Sequence, residues 1–497
     1  MTKFNSSQWA LVLFVALGSV TYGYSSSIIS TTLGQPSFLS YFELDTKSNR
    51  AQLLGAINGL FYSGGLIGTL VSAPAADAFG RRMAMFIGGS FSFVGGALQA
   101  GSVHIAMFMI SRALTGVGIG MLLCLVPLYQ SELSPPQIRG LLVGTHGVML
   151  CLGYSIASWL GVGFYFVNVR GAQWRMPLAI QCIFPFLLCL GVLKVPESPR
   201  YLIRCERIEE AYEAFKSVHA FKEDDSEPSM QLEFGVLHAQ IQGEKEMATG
   251  YRDLLIQPTL RKRCLVGFLT CFAAQGTATM VISNYGPMLY ASLGYNTIQQ
   301  LCLSAGWITI CPFGNLFNAL VVDKIGRVPM LIVGFVGTTL CLAGECITVA
   351  IFNKNGDPKV AAAAVFFLFF HLVCFSSTID ATSYIYSAEI FPTPVRAKGL
   401  GISVSGLFVA TILFLSGAPK AFETIGWKYY IVFMVVTTIM IFVAYFFFPE
   451  TKGVPLEEMA AIFGDEIKYE TSDVQKKDEV VLRAIHDEFS QESTHAE

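Results

Sequence analysis

Apolar runs long enough to cross a membrane recur along most of this chain, and nothing else in the sequence constrains its fold so tightly. About 20 apolar residues at 1.5 Å rise span a hydrocarbon core of about 30 Å. Twelve such runs are read, at 9–30, 52–73, 84–101, 105–128, 141–166, 174–195, 264–291, 299–321, 329–351, 361–387, 399–418 and 427–448. Lipid offers no partner to a free backbone N–H or C=O, so all twelve are expected to be helices. Composition agrees: 53% of the 497 residues are hydrophobic and only 14% are charged, against about 25% charged in soluble domains.

The remaining segments divide the chain. Residues 1–195 hold six spans, 196–263 form a polar middle segment, 264–448 hold six more, and 449–497 are a polar tail of mixed charge, read as partly disordered. Helical periodicity in "ERIEEAYEAFKSVHA" (206–220) predicts short surface helices in the middle segment. An even number of spans puts both termini on one side. Arg200, Arg204, Arg207, Arg261, Lys262 and Arg263 beside spans six and seven make that side cytoplasmic by the positive-inside rule. The sequon Asn5-Ser6-Ser7 then never meets the glycosylation machinery. The first run resembles a signal peptide in hydropathy, but with many similar runs behind it, it is expected to stay as the first span. The net charge of −3 and the lack of a basic, aromatic-laced surface argue against nucleic acid. Ten of the twelve cysteines lie inside apolar runs, where Cys packs as a small hydrophobe. Without a Cys-x-x-Cys or Cys/His cluster, no metal or cofactor is expected.

A charged punctuation mark appears twice. Tyr129, Glu132, Pro135 and Arg139 in "YQSELSPPQIRG" recur as Tyr386, Glu389, Pro392 and Arg396, each 257 residues later. "DAFGRR" (77–82) returns as "DKIGRV" (323–328), and "PESPR" (196–200) returns as "PETKG" (449–453). Three motifs recurring in order at near-equal spacing imply two homologous six-helix halves. Secondary transporters are built this way, with the substrate site at mid-membrane between the halves. All three pairs fall at one end of the bundle, where Glu and Arg are expected to pair across the halves and hold one mouth shut. Individually such pairs are worth about 0–1 kcal/mol, so a network of them stays reversible.

These motifs resemble the sugar porter family of the major facilitator superfamily, over residues 15–455. The resemblance rests on "GRR" after Asp77, Arg112 in "RALTGVG", "PESPR", the paired Glu/Arg motifs and "PETKG"; "YGYSSSIISTTLGQPSF" (22–38) and "YSAEIFPTPVRAKG" resemble its fungal branch. It implies an all-α major facilitator fold, two pseudo-symmetric six-helix bundles with a cytosolic helical linker, and alternating access. It also implies a gate of salt bridges drawn from Asp77, Arg81, Arg82, Arg112, Glu132, Arg139, Glu197, Asp323, Arg327, Glu389, Arg396 and Glu450. Ala78 and Val328 depart from the family's pattern, which has Arg at the first and often at the second.

Charges within spans are costly, about 2.5–3.5 kcal/mol on insertion scales, and mark candidate sites. Arg112 is the clearest; Glu345 and His371 fit packing roles as well. Span seven carries Gln275, Thr277, Thr279, Asn284 and Tyr285, hydrogen-bonding groups that sugar hydroxyls need once they lose water. Gln275 and Tyr285 match the family's motif there, whereas Ala278 and Asn284 depart from it. His146-Gly147 stands where the family offers Gln, and Ser383-Tyr384 where it has Pro-Trp. Gln275, Tyr285, Asn315, Asp380 and Tyr384 are expected to line the cavity, with His146 and Thr411 as further candidates.

The leading expectation is a multi-pass, monomeric transporter, in the plasma membrane, for a sugar or sugar-like polar molecule. Export of a specialised metabolite is an alternative, and a transporter-like nutrient sensor is another. No nucleophile with its base, metal cluster or phosphate loop suggests an enzyme. Proton-coupled members of the family have an Asp in span one beside the span-four Arg; here Ser25 follows Tyr24 instead. A serine hydroxyl does not titrate near neutral pH, so facilitated diffusion is expected. Proton coupling through Asp380 is the alternative.

Overall fold

A computed structural model describes residues 6–133, 139–167, 169, 171–219, 227–246, 250–392, 395–453 and 463. Every regular element among them is helical. Span one occupies Ala10–Leu33, span two Arg50–Phe79, span three Arg81–Ala100, span four Ile105–Leu133, span five Arg139–Tyr165 and span six Ala172–Val192. The second half repeats the series: span seven is Pro258–Ser292, span eight Thr297–Ile325, span nine Arg327–Asn355 and span ten Pro358–Glu389. The apolar stretch Arg396–Phe447 holds the last two. It breaks at a short turn, Gly426–Lys428, into span eleven, Arg396–Ile425, and span twelve, Tyr429–Phe447. Gly426 takes φ +55 there, a conformation that costs Gly little and other residues more.

Most helices run past their apolar windows at the end carrying the repeated motifs, called here the motif end. Span two continues to Phe79 rather than residue 73, and span four to Leu133 rather than 128. Apolar content reports where lipid ends, whereas hydrogen bonding lets the helix continue beyond it. Span seven likewise starts at Pro258, and its basic triplet lies inside the helix; Arg263 is buried and donates to the Ile390 carbonyl at 2.7 Å. Between the halves lie four short helices, Pro199–Arg204, Ile208–His219, Glu227–Glu246 and Tyr251–Ile256. Phe215, Phe234, Leu202 and Ile203 give them a small core of their own. Beyond residues 449–453 and 463, the tail lies outside the described residues.

Large apolar side chains such as Phe313, Phe366, Leu413 and Phe446 point outward, as a lipid-facing surface requires. Small residues bring the halves together. Span two packs along span eleven, so closely that a Cβ on Gly55 would lie 2.0 Å from the Ser416 carbonyl oxygen. At the far end, span one meets the second part of span seven, and span five meets the first part of span eight. Gly34 sits against Pro287 and Leu301, and Val162 packs on Leu301 and Ala305. These contacts seal the far end.

Candidate functional site

The two copies of the charged motif fold into the same object. In the first half, the Arg81 guanidinium donates twice to Glu132, at 2.9 Å through both Nε and Nη2. Glu197 accepts the backbone N–H groups of Arg81 and Arg82, at 3.1 and 3.3 Å, and so caps span three. In the second half, Arg327 donates to Glu389 at 3.0 and 2.7 Å, and Glu450 accepts the backbone N–H groups of Arg327 and Val328 at 2.9 Å each. Tyr129 donates to the Pro196 carbonyl, as Tyr386 does to that of Pro449. Gly80 and Gly326 precede the capped helices at φ +84 and +112. A Cβ on either would come within 2.6 or 3.0 Å of the capping carboxylate, so only glycine lets the carboxylate approach.

This geometry corrects one expectation: both fork-shaped Glu–Arg pairs close inside a half. The described ion pair between halves is Lys398–Asp77, at 3.6 Å, and sequence reasoning had not singled out Lys398. Asp77 also faces Arg204 of the middle helices, at 3.7 Å. Asp323 pairs with Arg327 at 2.8 Å. Arg396 opens span eleven, whereas the side chain of Arg139 lies outside the described residues. Arg112, expected among the gate ion pairs, makes none among the described residues. It is fully buried in the bundle, donates to the Ser25 carbonyl at 3.0 Å, and lies 3.7 Å from the centre of the Phe61 ring. Serine at position 25 leaves no carboxylate beside it, so the cation is held by a carbonyl and an aromatic face.

Polar groups gather where three spans of the second half lose regular helix geometry. Span seven breaks at Gly276–Ala278, with Ala278 at φ +70. There the Thr277 hydroxyl bonds to the Ala274 carbonyl and to Thr279, both at 2.8 Å, and the buried His371 ring meets the Thr277 carbonyl at 2.7 Å. These groups satisfy the broken helix. Span eight breaks at Ile310, placing Cys311 at the start of its second part. Span ten widens into a π-turn over Ser376–Asp380, a distortion common at functional sites.

The π-turn aims Asp380 at Asn315, whose amide donates to it at 2.9 Å. Tyr22, Tyr154 and Tyr384 lie within electrostatic reach of the same carboxylate. Asp380, Tyr384, Tyr154 and His146 are only half-buried although each lies inside a span. His146 bonds to Ser19 at 2.8 Å. Gln275 is buried, and its Oε1 has no partner among the described residues. Toward the far end a small cavity between the halves is lined by Ser27, Ser30, Ser158, Ser283, Ser304 and Trp307.

Other candidates hold the scaffold. Tyr285 accepts from Asn58 at 3.0 Å and reaches the Leu415 carbonyl at 3.2 Å, tying spans two, seven and eleven together. Asn284 donates to the Met280 carbonyl at 2.9 Å and approaches the Tyr62 hydroxyl at 3.5 Å. Thr411 back-bonds to Leu407 inside its own helix at 2.7 Å. Sequence reasoning missed Tyr22, Tyr154, the serines, and the thiols of Cys151 and Cys311, which lie 3.4 Å apart beside Asp380. Most of these lie in apolar settings that gave no signal; Tyr22, Ser27 and Ser30 lie inside the resembling stretch 22–38.

A model of the family described as "Sugar (and other) transporter" matches residues 11–463. The MFS-type transporter criB of Aspergillus cristatus is 31% identical over 455 residues, covering 91% of this chain and 92% of that one. A high-affinity glucose transporter of Kluyveromyces lactis is 30% identical, covering 91% and 85%. Among solved structures, the proton:xylose symporter XylE bound to 6-bromo-6-deoxy-D-glucose superposes with a TM-score of 0.77 at 23% identity, over 93% of this chain and all of that one. An inward-open XylE from E. coli gives 0.74 at 22% identity, over 92% and 99%.

Proposed function

This chain belongs to the sugar (and other) transporter family, and from that premise we propose that it carries a sugar or sugar-like polar solute across the plasma membrane by facilitated diffusion. Both termini and the middle helices face the cytoplasm, so the motif end is the inner mouth. The protein works as a monomer. The observation that carries this reading is the polar group of Asp380, Tyr384 and the buried Asn315 inside the bundle, the first two partly exposed, with close contacts between the halves at the far end. Solute hydroxyls that lose water there find an acceptor in Asp380 and an unused one in Gln275 Oε1. Rocking the halves about spans two and eleven exposes the group to the other side.

Arg112 bears on energy coupling. It bonds to the Ser25 carbonyl rather than to a carboxylate, so span one contributes no proton-accepting side chain beside it. A second reading is favoured by Asp380 itself, a carboxylate inside the bundle with no ion-pair partner among the described residues. It would take up a proton and couple solute movement to it. Uptake of labelled sugars into proteoliposomes under an imposed pH gradient separates the two. Facilitated diffusion predicts equilibration without accumulation and no solute-dependent proton movement. Accumulation abolished by a protonophore, and lost in Asp380→Asn while exchange persists, selects proton coupling. No transport of any hexose, pentose or polyol removes the sugar-like assignment.

A further inference from the structure

Cys151 lies in span five of the first half; Cys311, Asn315 and Asp380 lie in spans eight and ten of the second. Their donor atoms converge. Cys151 Sγ is 3.4 Å from Cys311 Sγ, and Cys311 Sγ is 3.6 Å from Asp380 Oδ2; one atom from each of the three residues falls within 4.8 Å of the others. Tetrahedral zinc, with bonds of about 2.3 Å to sulfur and about 2.0 Å to oxygen, separates its ligand atoms by about 3.8 Å for two thiolates and about 3.5 Å for thiolate and carboxylate. The Cys151–Cys311 and Cys311–Asp380 separations match these within about 0.4 Å, and Cys151 lies within 4.8 Å of Asp380. We infer that this cluster is a binding site for a thiophilic divalent cation of the zinc class, bridging the two halves of the transporter.

A second observation points the same way. The Asn315 amide nitrogen sits 3.2 Å from Cys151 Sγ, 3.4 Å from Cys311 Sγ and 2.9 Å from Asp380 Oδ2. It therefore fills the hollow among the three donors with a partly positive N–H group. A cation takes that hollow once the Asn315 side chain swings out of it, and Oδ1 is then the nearest further donor. Asp380 is partly exposed, so the cluster is not wholly closed off. A thiol binds such a metal as the thiolate and gives up its proton on binding.

Because the ligands come from both halves, the cation binds the conformation in which Cys151 and Cys311 are adjacent and holds it. This goes beyond the transport reading and does not depend on the identity of the solute. The test is titration of the purified, reduced full-length protein in detergent with Zn²⁺ alone, by calorimetry and by thermal melting, with no solute present. Free thiols are counted first. One saturable site per chain is expected, with a rise in Tm as the ion loads. Cys151→Ser and Cys311→Ser should each weaken binding at least tenfold, since even outer partners of a metal site contribute 10–100-fold. Either variant suffices if the other fails to fold, and the wild-type melting shift is an independent readout. Absence of saturable binding, or binding equal in wild type and both variants, overturns the site. So does a thiol count lower by two, which would mean that the pair is already a disulfide.

Discussion

The two charged clusters at the motif end share a blueprint and differ in burial. Arg81 and Glu132 are 3% and 8% exposed, whereas Arg327 and Glu389 are 10% and 28% exposed. Asp77 of the first cluster reaches Lys398 across the halves and Arg204 of the middle helices. Its counterpart Asp323 is 75% exposed, and its described ion pair is with Arg327, one turn away. The Thr451 hydroxyl bonds to Glu389 at 2.7 Å, as Ser198 does to Glu132 in the first cluster. Duplication thus preserved the fold of the motif while its wiring diverged. The first copy is a buried joint tied to the rest of the molecule, and the second is a more hydrated clasp.

The largest test of this contrast is stability. Glu132→Gln leaves a buried guanidinium without its counter-charge, at a cost of about 3–5 kcal/mol. Glu389→Gln breaks a pair that water already screens and should cost about 1 kcal/mol. Unfolding of the two purified variants in detergent should rank them in that order, and equal losses would erase the distinction between joint and clasp. Glu389→Gln should still reach the membrane but transport more slowly; unchanged turnover would remove the clasp from the transport cycle.

Next in size is the contrast between polar groups left open and those spent on the scaffold. Gln275→Ala removes an unused acceptor and should raise KM about tenfold, about 1.4 kcal/mol. Thr411→Val deletes a hydroxyl already bonded to Leu407, and KM should stay within about twofold. The reverse pattern in solute uptake would exchange their roles.

The smallest effect belongs to the exposed tie. Asp77→Asn should disfavour the far-end-sealed conformation by up to about 1 kcal/mol. Labelling of a cysteine engineered at the far mouth should then rise by up to about fivefold, less at high salt because screening has already weakened the pair. Asp323→Asn, whose described pair joins the adjoining ends of spans eight and nine within one half, should leave that labelling unchanged. An equal rise in both would show that Asp77 does not act through Lys398.

Span content, the two-half repeat and the existence of the charged motifs were legible in the residues themselves. Each is local: an apolar run must be helical in lipid, and "GRR" with "PESPR" builds a capped turn wherever the helices place it. Gln275 and Asp380 were legible too, as polar groups in apolar surroundings. Tertiary packing alone decided which groups meet. Helix rotation, set by close approaches such as Gly55 on Ser416, turned Thr411 onto its own backbone and closed each Glu–Arg pair within its half. The same packing brought Cys151 to Cys311, 160 residues away. A thiol in an apolar run looks identical in sequence whether it packs against leucine or faces another thiol. The difference lies in the azimuth of two helices about their axes, which the side chains of every neighbouring span determine together.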